Sequence, residues 1–352
     1  MIRHDTEEPR VASPRTILIG LVIVVVVGIG VVLLLGKAAG YRELLAALQN
    51  ASGGWLIACL LLEAASCAGY VVCLRAIVAQ GGGPALSPRQ ATRTWLATLG
   101  ATRIVSPAGA GGMAIFYWLL RKAGLRRRQA VSRVLGFNVL IFSLFGAWAF
   151  ATSLVILIDE GGAAPLGMVI PWLIIVPVVG VAGLWASQGA RGRRVAADVR
   201  RGWVRKVLAG AVSGIVVARD AMGQPRPNGP ALWGAAAYWV GDVLCLWAAL
   251  GAVGAEVPLA GVAVAYATAY TAMLLPLPTG GYGALDAASA FTLTVLGIPL
   301  AEAVAGVVVW RFFSFWLPTI PALIELARAR DLARTLSGQS EQGPEPAEAG
   351  GP

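Results

Sequence analysis

The chain has 352 residues, of which 57% are hydrophobic and only 13% charged, with a mean hydropathy of +0.73. A water-soluble domain of that length needs more polar surface, so the composition excludes one and makes the lipid bilayer the solvent. The formal charge of +10 sits mostly in short segments between apolar runs, a distribution that marks membrane topology and argues against a nucleic-acid partner.

Residues 1–15 are polar and carry Arg3, Arg10 and Arg15; a first helix is expected over 16–35. That apolar run is longer than the core of a cleaved signal peptide, which points to an uncleaved first span. A second run covers 55–78 and ends in a Gly/Pro loop at 81–88. Residues 91–105 and 112–121 read as two helical arms around Ser106-Pro107-Ala108-Gly109-Ala110-Gly111-Gly112, where proline and glycine break a helix. At about 1.5 Å per residue, each arm is short for a full crossing.

Long apolar runs at 131–158 and 166–186 follow, then a basic linker at 187–230 in which 203–218 reads as an interfacial helix. The next run is 231–253. A second pair of short arms, 259–275 and 284–296, surrounds Pro276-Leu277-Pro278-Thr279-Gly280-Gly281-Tyr282-Gly283. A last helix is expected over 301–326, and 328–352 reads as a disordered tail, rich in Gly, Pro and Glu from Ser337.

No ten-residue alternation suggests a barrel, so the fold class is all-α integral membrane. The expected architecture is six spanning helices plus two broken re-entrant helical hairpins, in one transmembrane domain over 16–327. Placing 1–15, 79–93, 121–133, 187–230 and 328–334 on the cytoplasmic side puts most of the 28 Lys and Arg residues there, as the positive-inside rule requires. Both termini are then cytoplasmic. Ten full crossings give the same loop assignment, so charge alone does not separate re-entry from crossing.

The two broken stretches match each other. Pro107-Ala108-Gly109-Ala110-Gly111-Gly112 aligns with Pro278-Thr279-Gly280-Gly281-Tyr282-Gly283 at an offset of 171. Gly124-Leu125 aligns with Gly297-Ile298, and Phe137 with Trp310, at an offset of 173. The halves, about 55–160 and 231–327, enter from opposite sides in this topology and form inverted repeats, an arrangement that transporters use to build a midplane site from interrupted helices. The breaks, with Pro107, Gly109, Gly112, Pro278, Gly280, Gly281 and Gly283, are therefore candidate substrate-binding positions; the alternative is that these glycines serve close helix packing.

Five of the ionisable residues inside or beside apolar segments stand out: Glu63, Arg103, Asp242, Asp286 and Arg311. Charges at membrane depth are costly and usually face the protein interior with a partner. Arg103 and Arg311 suit a phosphate, which guanidinium grips with two parallel hydrogen bonds. Asp286 belongs to the same candidate site, and Asp242 and Glu63 are candidates for charge coupling. Purely structural ion pairs are the alternative, and Arg103 and Glu63 lie near enough to the polar layers to snorkel. His4 is the only histidine, and Cys59, Cys67, Cys73 and Cys245 lack C-x-x-C spacing, so no metal site, cofactor or His-based triad is expected.

Together these residues resemble a known family, the flippase-like transmembrane domains found at the N-terminal end of lysylphosphatidylglycerol synthases and as stand-alone membrane proteins. The resemblance is carried by Pro107 to Gly112, by Leu277-Pro278-Thr279-Gly280-Gly281-Tyr282-Gly283-Ala284-Leu285-Asp286, and by Leu296-Gly297-Ile298-Pro299 and Trp310-Arg311. Met113 and Phe116 stand where the family often has an acidic residue and an arginine, and Asn138 lies near another common arginine position. The resemblance implies movement of an anionic lipid or lipid-linked substrate between leaflets of the cytoplasmic membrane; it does not imply lysyl transfer, and no enzymatic activity is expected. Two rivals stay open: a membrane-embedded lipid-modifying enzyme, for which Glu63 with Asp242 is the only plausible acid–base pair, and a non-transporting partner of a lipid-synthesis complex. A homo-oligomer or a lipid-synthesis enzyme is the expected protein partner.

Overall fold

The computed structural model describes residues 14–104, 110–160, 165–187, 215–216, 219, 225–274 and 282–341, and no strand occurs among them. Among the described residues, six helices are long and apolar enough to cross a membrane. Helix is the expected answer to these apolar runs, because hydrocarbon offers no partner for a free backbone N–H or C=O. In order, α1 is Pro14–Ala39, α2 Tyr41–Gln49, α3 Gly53–Ala79, α4 Pro88–Ile104, α5 Ala110–Lys122, α6 Arg127–Glu160 and α7 Leu166–Ser187. After the linker come α8 Pro225–Ala252, α9 Leu259–Tyr270, α10 Tyr282–Val295, α11 Leu300–Arg311, α12 Leu317–Ala327 and α13 Ala329–Glu341.

The centre of the molecule is the pair α3 and α8, which share the most extensive helix contact. Small residues make it possible. A Cβ on Gly69 would lie 2.6 Å from the Gly234 carbonyl oxygen, one on Gly234 would lie 2.6 Å from the Cys73 nitrogen, and one on Gly241 would lie 2.8 Å from the Leu62 carbonyl oxygen. Backbones this close are the membrane mode of helix association, driven by packing rather than by apolar transfer. The pairs run in opposite senses along the two helices: the thiols of Cys59 and Cys245 each reach the other's carbonyl oxygen, and the Ser66 hydroxyl donates to the Tyr238 carbonyl at 2.8 Å. The two helices are therefore antiparallel.

Each broken stretch contributes two helices that pack side by side, α4 with α5 and α9 with α10. Gly112 lies directly against Thr102, and the Thr292 hydroxyl donates to the Ala265 carbonyl at 3.2 Å. The breaks themselves, 105–109 and 275–281, lie outside the described residues, as does most of the expected interfacial helix at 203–218. Further similarity between the halves appears at the ends of α5 and α10. Gly124 and Gly297 both take left-handed backbone, φ 94° and 88°, and the next residue donates back to a carbonyl five positions earlier: Leu125 to Leu120 at 3.1 Å and Ile298 to Leu293 at 3.3 Å. That closure demands a positive φ, which glycine adopts without cost.

Two expectations change and one is refined. The last helix runs unbroken over Leu300–Ala327, as expected, but a π-helical turn, Phe312–Trp316, lies within it between α11 and α12. Pro318 gives the reason, since it has no N–H to donate to the Ser314 carbonyl four residues back. The arm expected over 259–275 leaves α-helical geometry at Tyr270 and tightens into a 3₁₀ turn, Thr271–Leu274. Residues 329–341, assigned from composition to a disordered tail, form α13, because Ala329, Leu332, Ala333 and Leu336 line one face and are buried. The amphipathic α2 had no counterpart among the expected elements.

Candidate functional site

Every one of the five singled-out ionisable residues comes from a different helix: Glu63 from α3, Arg103 from α4, Asp242 from α8, Asp286 from α10 and Arg311 from α11. The fold gathers them. Glu63 and Asp242 each interact electrostatically with both arginines and with one another, and Arg311 forms an ion pair with Asp286 through Nε and Oδ1. Glu63, Arg103, Asp242 and Arg311 are all buried, which rules out snorkelling to a polar layer for Arg103 and Glu63.

The π-helical turn organises the cationic half. Arg311 opens it, with its guanidinium carbon 4.2 Å from the Trp310 ring centre. Arg103, arriving on the last turn of α4, lies 3.6 Å over the Phe315 ring and donates to the Ser314 carbonyl at 3.4 Å. That carbonyl is the one Pro318 leaves without its helical donor. Both arginines therefore converge on one irregular turn, where stacked aromatic faces compensate part of the cost of burying cations.

The carboxylates are held unequally. Asp242 accepts from the Tyr266 hydroxyl at 2.6 Å and from the Trp310 indole N–H at 2.6 Å, so both its oxygens are engaged. Tyr266 and Trp310 belong to an aromatic cluster with Phe145, Trp148, Trp239 and Tyr270, which seals Asp242 on that side. Glu63 is contacted only through Oε1, by the Cys67 thiol at 3.6 Å, and its Oε2 has no hydrogen-bond partner among the described residues.

The Arg311–Asp286 pair opens onto a small crevice of about 60 Å³ between α1 and the α10–α11 region. Val27, Val31 and Leu35 of α1 form one wall, and Val307, Val308 and Trp316 lie opposite. Gly283 belongs to this crevice and sits against Val31, to which an added Cβ would approach within 2.8 Å. Gly112 plays a different part: it lets α5 close onto Thr98 and Thr102 of α4, which is the packing role. Pro107, Gly109, Pro278, Gly280 and Gly281 lie outside the described residues. Phe116 and Asn138 turn to packing against Phe137 and to the Val134 carbonyl, respectively. Among the described residues no His/Cys/Asp/Glu group has the make-up of a metal site.

Tyr266, Trp310 as a hydrogen-bond donor, Phe315 and Cys67 escape a sequence reading. Cys67 follows Glu63 by one helical turn, a legible spacing. Pro318 four residues after Ser314 is a second legible signal, since it announces a free carbonyl. Tyr266 to Asp242 is a tertiary contact with no signature in spacing.

The family model of the lysylphosphatidylglycerol synthase TM region matches residues 17–322. No curated protein shows a significant match to the sequence. The chain belongs to the lysylphosphatidylglycerol synthase TM region family, and with its six apolar helices it is a multi-pass membrane protein with a lipid-related role.

Proposed function

We propose that the protein is a translocator that moves an anionic lipid, or a lipid-linked anion, between the leaflets of the cytoplasmic membrane. The observation that carries this reading is the Arg311–Asp286 pair at the floor of an apolar crevice beside α1. A phosphodiester headgroup competes with Asp286 for the guanidinium, while acyl chain lies along Val27, Val31 and Leu35. Arg103, stacked on the adjoining turn, supplies a second cation to the path. The reading treats the halves as inverted repeats with re-entrant hairpins. It is supported by the antiparallel α3–α8 pair, by the matching ends of α5 and α10, and by a pattern of packing in which α4 meets α12 much as α9 meets α6. The termini are assigned to the cytoplasm by the basic segments at 1–15, 187–230 and 328–334.

Neither rival role draws comparable support. Asp242 is fully engaged by Tyr266 and Trp310, so it is poorly placed to serve as the second member of an acid–base pair with Glu63. Lipid retention tests the headgroup site. Native mass spectrometry of the purified protein is expected to show phosphatidylglycerol retained in preference to phosphatidylcholine, with the preference lost in Arg311→Ala. Equal retention of both lipids, unchanged by the substitution, contradicts the assignment.

A further inference from the structure

The five buried or half-buried ionisable groups do not balance. Arg103 and Arg311 face three carboxylates, those of Glu63, Asp242 and Asp286. Two of the three have strong donors: Asp242 has a phenol and an indole, Asp286 has Arg311. An ionised carboxylate only accepts hydrogen bonds, and burying one without donors is expensive. Glu63 is 7% exposed, its Oε2 has no hydrogen-bond partner among the described residues, and its Oε1 has only a thiol at 3.6 Å. Asp242 from α8, Arg103 from α4, Arg311 from α11 and Cys67 from its own helix all act on it.

We infer that Glu63 is a proton-binding site linked to substrate: its carboxylate holds a proton more tightly when an anionic headgroup occupies Arg311, and releases it more readily when the headgroup leaves. This rests on the translocator reading and names the ion that reading lacks. The balance is simple. With every group ionised the cluster carries one excess negative charge, and a singly charged phosphodiester would double it. One proton from water, joined to the Glu63 carboxylate to give the acid, restores the original charge. Linkage is reciprocal, so protonation strengthens anion binding by the factor by which the anion strengthens protonation. Protonating Asp242 would weaken the hydrogen bonds it accepts from Tyr266 and Trp310, and protonating Asp286 would remove the negative charge that pairs with Arg311.

The test is pH-difference infrared spectroscopy of the purified full-length protein, reading the band of the protonated carboxyl group with and without phosphatidylglycerol. Expected is a band removed by Glu63→Gln and kept, displaced in frequency, by Glu63→Asp, which guards against a folding defect in either variant. Phosphatidylglycerol should move its midpoint upward by about one pH unit, a tenfold linkage of ordinary size, while phosphatidylcholine leaves it in place. A band that survives Glu63→Gln, or a midpoint indifferent to phosphatidylglycerol, overturns the inference. Headgroup-selective leaflet exchange alongside an unmoved midpoint removes the proton linkage and leaves the translocator standing. Loss of headgroup preference in the lipid-retention experiment removes both.

Discussion

Helix α1 carries the most apolar of the six spans and is the least buried, with 6% of its most apolar stretch inside the protein; α8 carries the least apolar span and is the most buried, at 61%. In water the order would be reversed. In a bilayer the lipid tails reward apolar surface as well as a protein core does, so hydropathy reports what faces lipid. The interior is selected for small residues that let backbones meet and for polar groups that find one another. Gly69, Gly234, Gly241, Ser66 and Asp242 on the α3–α8 pair show both traits, whereas Val22, Val26, Leu33 and Leu34 of α1 are exposed.

Substitutions that exchange these two settings break the comparison most sharply. Leucine at Gly234 drives a side chain into the backbone of α3 at Gly69 and Cys73, and Gly234→Leu should cost about 3 kcal/mol or more, enough to lose monodisperse protein. Gly30→Leu in α1, where nothing lies within 4 Å of the added Cβ, should leave thermal unfolding in detergent nearly unchanged. Next in size is Asp242→Ala, which strands the Tyr266 hydroxyl and the Trp310 indole in the core at about 2 kcal/mol. Asp242→Asn keeps one acceptor and should cost roughly half as much by the same measurement. Arg93→Ala removes a partly exposed ion pair, Arg93 to Glu325 at 2.8 Å between α4 and α12, and is worth only about 1 kcal/mol or less. An unfolding series that fails to follow this order would mean that the α3–α8 pair is not the centre of stability.

Much of the fold was legible because lipid leaves a chain few choices. The spans and the glycines at 124 and 297 follow from run length and from glycine chemistry. The five ionisable residues were legible one by one, since a charge at membrane depth needs a reason. Their assembly was not: Glu63 and Asp242 lie 179 positions apart, and only the antiparallel crossing of α3 on α8 brings them together. The π-helical turn was hidden inside an apolar run that reads as plain helix, although Pro318 marks it in retrospect. α13 was missed because composition weighs the Gly/Pro/Glu-rich end of the chain over the four apolar residues that pin the helix down.

The same comparison separates site from surroundings. Arg311 is buried beside a crevice that α1 walls, so the proposed transport chemistry belongs to the inner helices and α1 forms a lipid-facing boundary. The most direct test is leaflet exchange of fluorescent phosphatidylglycerol and phosphatidylcholine by purified protein in liposomes, comparing wild type with Arg311→Ala and, as a peripheral control, Leu34→Ala. The account predicts exchange that favours the anionic lipid, is abolished by Arg311→Ala and is untouched by Leu34→Ala. Exchange that ignores the headgroup or survives Arg311→Ala, or no exchange of either lipid by folded wild-type protein, would contradict it.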